Sequence, residues 1–283
     1  MRPAARGAAT LALALTSFAA AQQPRQPTPR TPATQGKPAP RTPAPKAAKA
    51  PVPRREAAVP FRVGETLTYD VSWSQFLTAG TAVSKVVEKR ASSGSTAYSI
   101  VADGRPLPLV ARFYAVYYKM DSLLDSFTVL SHATSLYSEE NGRTRQSNTR
   151  FDRTAGRAFY DVPAEPSMKD DFTVPANVQD GLATLYAVRG HAFKAGEHFT
   201  IPVADDGSLY TVEFETSGPE RVRVPLGDIE AWSLKITILD AQHQPAARNS
   251  GVWISTDARR LPVKLQSDLP VGSFVLALRD AHN

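Results

Sequence analysis

The side chains that most often catalyse reactions or bind metals are few in this chain. It contains five histidines and no cysteine. His191 and His198 lie seven residues apart, a spacing that does not suit two metal ligands on one helix or hairpin. The lack of cysteine excludes disulfides, thiolate nucleophiles and cysteine-bound metals. The sequence therefore predicts no metal site and no cofactor.

Motifs for nucleophiles and for phosphate binding are also missing. The chain has no G-x-S-x-G, no S-x-x-K and no G-x-x-x-x-G-K motif. Paired carboxylates occur at Glu139-Glu140, Asp170-Asp171 and Asp205-Asp206, where predicted turns account for them. We identify no catalytic residue and predict a non-enzymatic protein. An envelope hydrolase built from scattered acids is the less favoured alternative.

The elements that would position any site are predominantly β-strands. The segment TLTYDVSW, residues 66–73, alternates apolar and polar side chains with a period of two. The same alternation occurs in YTVEFET, WSLKITI, LPVKLQS and SFVLALR. Asn141-Gly142 and Asp206-Gly207 are strong hairpin signals. We predict a mainly β fold: a single curved antiparallel meander sheet, or an incomplete barrel, of about ten to twelve strands.

One segment departs from this pattern. NVQDGLATLYAVRG, residues 177–190, has Asn177 as a candidate N-cap and Gly190 as a candidate C-terminal stop. Its apolar side chains at i, i+4, i+7 and i+8 form one stripe. We predict an amphipathic helix over about residues 178–189 that packs this stripe into the sheet and closes the core. A second, shorter helical turn is predicted at LPLVARFY, residues 107–114.

The first residues of the chain resemble a targeting segment. Arg2 and Arg6 precede an apolar run, and Ala19 to Ala21 form a small-residue cleavage site. The run is shorter than the roughly 20 residues that a membrane-spanning helix needs. We predict a signal peptide over residues 1–21 with cleavage near Ala21, a periplasmic or otherwise exported protein, and no transmembrane segment after cleavage.

Residues 22–58 are predicted to form a disordered, basic, proline-rich linker, followed by a β domain over residues 59–283. Eleven of residues 22–60 are proline, a composition typical of polyproline II conformation without a core. The net charge of the chain is +6. Residues 1–21 contribute +2 and residues 22–60 contribute +7, which leaves −3 for residues 61–283. We therefore predict no nucleic-acid partner, because such a domain carries its basic patch on a folded face.

Candidate ligand-binding side chains lie in two groups. The segment LYSEENGRTRQSNTRFD, residues 136–152, is poor in apolar residues and either projects into water or lines a hydrated concavity. Its arginines could then meet an anionic ligand, and tyrosines could offer apolar faces with a polar end. The predicted ligand-binding residues are Tyr117, Tyr118, Tyr186, Arg143, Arg145 and Arg150. The expected ligand is a lipid or glycan of the envelope; the alternative is a scaffold that binds another envelope protein through a strand edge.

Several stretches in order resemble one bacterial family. They are FRVGETLTYDVSW, TAGTAVSKVVE, VPANVQDGLATLYAVRG, KAGEHFTIPVADDGSLYTVEF, RVRVPLGDIEAWSLKI and SGVWISTDARRLPVKLQSDLPVGSFVLAL. Together they are similar to the family called domain of unknown function 3108 over nearly all of residues 60–280. The resemblance implies an exported, mainly antiparallel β protein without an established activity, and it carries over no catalytic residue. Its recognisable motifs fall at Gln179-Asp180 and at Ser255 to Val263.

Overall fold

The computed structural model describes residues 54–73, 77–113, 115–140, 142–269 and 272–282. The predicted signal peptide, and the predicted linker up to residue 53, lie outside the described residues, as does Asn141 of one predicted turn. The described residues from Glu56 onward belong to one compact unit. Glu56 and Ala57, which the sequence assigns to the linker, contact this unit: Glu56 pairs with Lys89, and the Ala57 amide donates to the Ser126 carbonyl.

The described residues form fourteen strands and two helices. The strands are β1 (Thr66–Trp73), β2 (Leu77–Ser92), β3 (Ser95–Pro106), β4 (Val116–Asp125), β5 (Ser131–Glu140), β6 (Arg143–Asp152), β7 (Arg157–Asp161), β8 (Lys169–Thr173), β9 (His198–Asp205), β10 (Ser208–Val224), β11 (Gly227–Leu239), β12 (Arg248–Ser255), β13 (Pro262–Leu269) and β14 (Gly272–His282). The helices are α1 (Pro108–Ala111) and α2 (Gly181–Arg189). The helical turn predicted at residues 107–114 is confirmed by α1.

All fourteen strands belong to one antiparallel sheet in the order β8-β7-β6-β5-β4-β3-β2-β1-β14-β13-β12-β11-β10-β9. The chain runs outward from β1 to β8, passes through α2, and returns from β9 to β14, which pairs with β1. The predicted mainly β antiparallel fold is confirmed. The predicted count of ten to twelve strands is too low, because strands such as β6 and β8 are mostly polar and show little apolar alternation. The sheet is not closed into a barrel, and β8 and β9 are its edges.

Local sequence accounts for the hairpins. Asp206 and Gly207 have φ of 45° and 76°, as a two-residue turn with the twist of its flanking strands requires, and they join β9 to β10 as predicted. One face of the sheet carries the buried rows that begin with Leu67 and Tyr69 on β1; we call it the inner face. The two largest clusters of buried apolar residues combine side chains of this face with side chains of α2.

The α2 helix is shorter and more deeply placed than the sequence indicates. It begins at Gly181, with Asp180 as its N-cap, and not near Asn177. Every residue of α2 except Ala187 is buried, so the expectation of a single apolar stripe is wrong. Most residues of α2 are leucine, valine, alanine or glycine, which can be buried on any side of the helix. Its one charged residue, Arg189, forms an ion pair with the buried Glu65. Thus α2 lies inside the core rather than across its opening.

Candidate functional site

Where β1 pairs with β14, the side chains on the inner face are buried at one end of the strands and exposed at the other. On β1, Leu67 is 0% exposed and Tyr69 2%, whereas Trp73 is 40% exposed. Trp73 lies on the same face by strand alternation and stacks on Phe274 of β14, with ring centroids 6.3 Å apart and planes 7° apart. Val71 and Phe274 are partly buried. An apolar wall therefore reaches solvent where β1 ends and β14 begins, which we call the open end.

The opposite end of the inner face is closed by α2 and a buried ion pair. Arg189 and Glu65 are 0% and 1% exposed, and two hydrogen bonds of 2.6 and 2.8 Å join the guanidinium to the carboxylate. Arg189 also donates to the carbonyls of Arg260 and Arg259, at 3.0 and 3.1 Å. Although burial alone would lower it, the Glu65 carboxylate holds the pKa of Arg189 above its usual value. The C-terminal end of α2 is thus tied to the start of β1 and to the β12–β13 loop.

The N-terminal end of α2 is held by a second buried polar cluster. One oxygen of the Asp180 carboxylate accepts from the Ala183 amide at 2.8 Å. The other accepts from the hydroxyls of Ser122, at 2.7 Å, and Ser131. Burial raises the pKa of Asp180 above its usual value. These bonds connect the helix to β4 and β5.

Gln179 links the two runs of the sheet beside this cluster. Its side chain accepts from the Ser131 amide at 2.8 Å and donates to the Val129 carbonyl at 2.7 Å. Its backbone bonds to Pro202 and Ala204 of β9. Gln179 therefore joins the first run, near β5, to the edge strand of the second run.

Both motifs singled out by the sequence resemblance are accounted for by these contacts. Gln179-Asp180 caps α2 and bridges the sheet runs, while the segment from Ser255 to Val263 presents the two carbonyls that bind Arg189. Within that segment the Ser255 hydroxyl donates to Asp257 at 2.6 Å and accepts from the Leu261 amide at 2.7 Å. The two motifs meet opposite ends of one helix, so their role is to position α2.

A third polar cluster lies between β6, β7 and the β9–β10 turn. Arg145 donates to Asp206 at 2.7 Å and to the Tyr160 hydroxyl at 2.6 Å, and that hydroxyl donates to Asp206 at 2.5 Å. The adjacent Asp205 is buried, and its Oδ2 has no hydrogen-bond partner within the described residues. Burial, together with the charges of Asp206 and Asp180, raises the pKa of Asp205 to about 8. Asp205 is therefore largely protonated at neutral pH.

The histidines do not assemble into a reactive centre. His132 lies 3.2 Å from Asp125, and its Nδ1 lies 3.1 Å from the Ser92 hydroxyl. His191 stacks on a phenylalanine ring and lies 3.1 Å from Glu197. No group of three or more histidine, aspartate or glutamate side chains with a metal-binding arrangement occurs among the described residues. None of their helices is long and apolar enough to cross a membrane.

Residues 68–279 match the model of the family described as "Protein of unknown function (DUF3108)". The chain belongs to the DUF3108 family. The resemblance inferred from the sequence motifs is confirmed. No curated protein matches the chain.

Solved structures show what this DUF3108 fold is similar to. A beta-barrel-like protein of DUF1849 from Brucella abortus aligns with a TM-score of 0.52 and 10% identity, over 77% of this chain and 97% of that one. A protein from Bacteroides fragilis described as exported, with a YmcC-like fold, gives 0.32 and 11%, over 81% and 100%. A chain from Parabacteroides distasonis described as a lipoprotein gives 0.33 and 8%, over 81% and 100%. At these identities the first match supports the fold alone.

The predicted ligand-binding residues of the DUF3108 domain fall in different places. Tyr118 and Arg145 lie on the inner face, both in register with Ser138 of the strand between them. Tyr118 donates to Glu140. Arg143 is exposed at the start of β6.

The other three predicted residues lie elsewhere. Tyr117 is on the outer face, with the Arg105 guanidinium 4.7 Å from its ring centre. Arg150, also on the outer face, lies over Phe159. Tyr186 is fully buried in α2, where its hydroxyl shares a 2.9 Å hydrogen bond with Ser84. The structure thus places Tyr118, Arg143 and Arg145 on one face of the sheet, where Arg143 pairs in register with Glu140, the acceptor of the Tyr118 hydroxyl.

The six predicted ligand-binding residues do not include those that form the open end. Val71, Trp73 and Phe274 were recognisable as members of apolar rows, but alternation alone does not tell which end of a row stays open. One signal was present: the rows of β1 and β14 remain apolar up to their turns, where polar residues are usual.

Proposed function

We propose that this DUF3108 protein is a non-enzymatic protein of the cell envelope that binds an amphipathic molecule, a lipid or a glycan, on its inner face at the open end. The observation that carries the proposal is the rise in exposure along one apolar row, from 0% at Leu67 to 40% at Trp73. A wall that is apolar and still accessible gains free energy when an apolar ligand covers it, at about 25 cal/mol per Å².

A lipid suits this wall better than a glycan does. The accessible part of the row is formed by Val71, Trp73 and Phe274, which offer hydrocarbon and ring surface. Further along the sheet, the same face carries the Tyr118 hydroxyl, which donates to Glu140, and Arg143, which is exposed at the start of β6. An acyl chain on the first group and a polar head group near the second would follow the usual pattern of a mostly apolar site with a few polar contacts.

Protein binding through a strand edge has weaker support. The edge strand β8 reads KDDFT, and it is largely exposed and charged. The edge strand β9 contains Pro202, and Gln179 already bonds to its backbone. Charge, proline and covering backbone are the devices by which proteins prevent pairing at sheet edges. These edges are therefore poor templates for a partner strand.

An enzymatic function also has weaker support. Asp205 is the one described aspartate with a pKa raised to about 8, a property that active sites often use. It is buried beside Asp206, Arg145 and Tyr160, which bond to one another. No nucleophile pair adjoins it among the hydrogen bonds of the described residues. We assign this cluster to the packing of the β9–β10 turn.

The test compares two glutamate substitutions at neighbouring positions of β1. Val71→Glu places a carboxylate on the inner face at the open end, and Ser72→Glu places the same side chain on the outer face. Both positions are partly exposed, so both variants should fold. We expect Val71→Glu to weaken binding of a fluorescent fatty acid at least about tenfold, the effect of about 1.4 kcal/mol, and Ser72→Glu to leave it unchanged.

Native mass spectrometry of the protein purified without detergent supplies the second measurement. Co-purified lipid that leaves only on unfolding supports the proposal. A ligand-free mass, together with no fatty-acid binding by the wild-type protein, would contradict it. Equal loss of binding in both glutamate variants would also count against it, because the inner face would then have no special role.

A further inference from the structure

The loop between β3 and β4 exposes an unusual density of large apolar side chains. Leu107, Leu109 and Phe113 lie within seven residues and are 37%, 67% and 86% exposed. They are three of the eight exposed large hydrophobic residues in the described part of the chain. Single exposed apolar residues are ordinary on protein surfaces, whereas a cluster marks an interaction site.

The loop is held in this exposed position. The Leu107 amide donates to the Ala79 carbonyl at the start of β2, at 2.8 Å. Within the loop, the one-turn helix α1 is closed by the Ala111 amide, which donates to Leu107, and by the Phe113 amide, which donates to Val110. No residue of α1 is buried. Leu109 and Phe113 therefore point away from the sheet on a pinned turn.

The charged residues of the loop segment itself are basic. Residues 104–116 contain Arg105 and Arg112 and no acidic residue. Arg112 is exposed. Arg105 is also exposed; it lies over the Tyr117 ring and 3.7 Å from Asp103. Apolar side chains flanked by arginine and an aromatic ring are the composition of segments that lie in the interface of an anionic bilayer.

We propose that the 107–113 loop inserts into an anionic lipid surface, with Leu109 and Phe113 in the acyl region and Arg105 and Arg112 at the head groups. A protein partner would need about 800 Å² of complementary surface on each side. Three side chains on a projecting turn offer much less, whereas insertion into lipid needs no shaped partner. The proposal concerns a different surface from the inner face, and it holds whether or not that face binds a ligand.

The loop lies at the same end of the sheet as the open end. The Leu107 amide bonds to the carbonyl of Ala79, close to the start of β2. Trp73, at the end of β1, pairs with Leu77 at the same end of β2. A membrane contact through the loop would bring the open end to the lipid surface. The neighbouring β5–β6 hairpin carries both signs of charge, with Glu139 and Glu140 before its turn and Arg143 after it, so an excess of positive charge is found on the loop and not on the hairpin.

The absence of cysteine allows a site-specific test in the full chain. Leu109→Cys and, as a matched control, Val63→Cys are each labelled with the fluorophore NBD; Val63 is an exposed apolar residue just before β1, at the opposite end of the sheet. The probes are vesicles of phosphatidylcholine alone and of phosphatidylcholine with phosphatidylglycerol. We expect a blue shift, and quenching by acyl-chain doxyl groups, only for the label at 109 and more strongly on the anionic vesicles.

Two further substitutions measure the apolar contribution. In the Leu109→Cys background, Phe113→Ser should weaken vesicle partitioning about tenfold or more, because a phenylalanine side chain no longer leaves water. Val87→Ser, at an apolar residue of β2 that is 50% exposed, should leave partitioning unchanged. The basic N-terminal segment is identical in all variants, so the differences report on the loop.

Each of the following results would overturn the proposal. They are no acyl-chain quenching at 109, equal quenching at 109 and 63, no dependence on phosphatidylglycerol, and a blue shift that rises with protein concentration before vesicles are added. The last result would assign the loop to contact between copies of the chain. A shift at 109 that requires an added envelope protein instead of lipid would assign it to a protein partner.

Discussion

The buried pair between Glu65 and Arg189 gives the sharpest test of how α2 is held. Glu65→Gln keeps the side-chain volume and one acceptor oxygen but removes the negative charge opposite a guanidinium that is 0% exposed. The other hydrogen-bond partners of Arg189 are the carbonyls of Arg259 and Arg260, which carry no formal charge. The variant therefore leaves a positive charge uncompensated in the core.

The expected cost follows from this geometry. Removing one partner of a buried ion pair destabilises a protein by about 3–5 kcal/mol. For a domain of this size, each kcal/mol lowers the unfolding midpoint by about 2–4 °C, so we expect a drop of about 6 °C or more. The control is Asp70→Asn on β1, where the carboxylate lies 2.8 Å from Arg279 in a partly exposed pair. Such a pair contributes at most about 1 kcal/mol.

Thermal and urea unfolding followed by circular dichroism at pH 7 would measure both variants. A midpoint for Glu65→Gln no lower than that for Asp70→Asn would refute the reasoning. The double variant with Arg189→Met removes both charges and fills the space with an apolar side chain. It should be more stable than Glu65→Gln alone, because exchanging a buried pair for apolar groups is often nearly neutral. A double variant less stable than the single one would also contradict the account.

Two further predictions concern buried positions. Between pH 3.8, the usual pKa of an aspartate, and about pH 8, its pKa in the folded protein, Asp205 is protonated in the folded state and ionised in the unfolded state. The free energy of unfolding therefore falls as the pH rises through this window, by up to about 1.4 kcal/mol per pH unit. Asp205→Asn should reduce the decrease in the free energy of unfolding between pH 5 and 8, as measured by urea unfolding. The same pH dependence in the variant and the wild type would contradict this. Leu182→Asp should abolish cooperative unfolding, since it buries an unpaired charge at a cost of several kcal/mol. The same substitution at Ala187, the one half-buried position of α2, should leave a folded protein; loss of folding in both variants would remove the distinction.

Alternation and turn chemistry were enough to predict the antiparallel class of the fold. They located β1, β10, β11, β13 and β14, whose inner rows are apolar, and the Asp206-Gly207 turn, whose residue types permit positive φ. The predicted number of strands was too low because strands with a polar inner face show no apolar alternation. Ser147 and Thr149 of β6 are buried without being apolar, because they lie near the polar clusters, and a hydropathy pattern cannot register such burial.

The position of α2 could not be inferred from its own sequence. Its stripe of Leu182, Leu185 and Tyr186 suggested one packed side, yet the side that carries Arg189 is buried as well. Arg189 can be buried because its charge is compensated by Glu65, which lies 124 residues earlier in the chain. The cap at Asp180 likewise depends on Ser122 and Ser131 from the first sheet run. Long-range polar partners decided where the helix lies, and local periodicity carries no information about them.

This arrangement of α2 constrains how a ligand would enter under the proposed function. Moving the helix would break the Glu65–Arg189 pair at one end and the Asp180 cap at the other, each of them buried and bonded on several sides. The helix is therefore a fixed wall and a poor candidate for a movable lid. Exchange is left to the open end, where Trp73 is exposed and the 107–113 loop projects. A lipid that leaves a bilayer touched by that loop would meet the apolar wall of β1 and β14 without first crossing water, which removes the largest cost of transferring an acyl chain between a membrane and a protein.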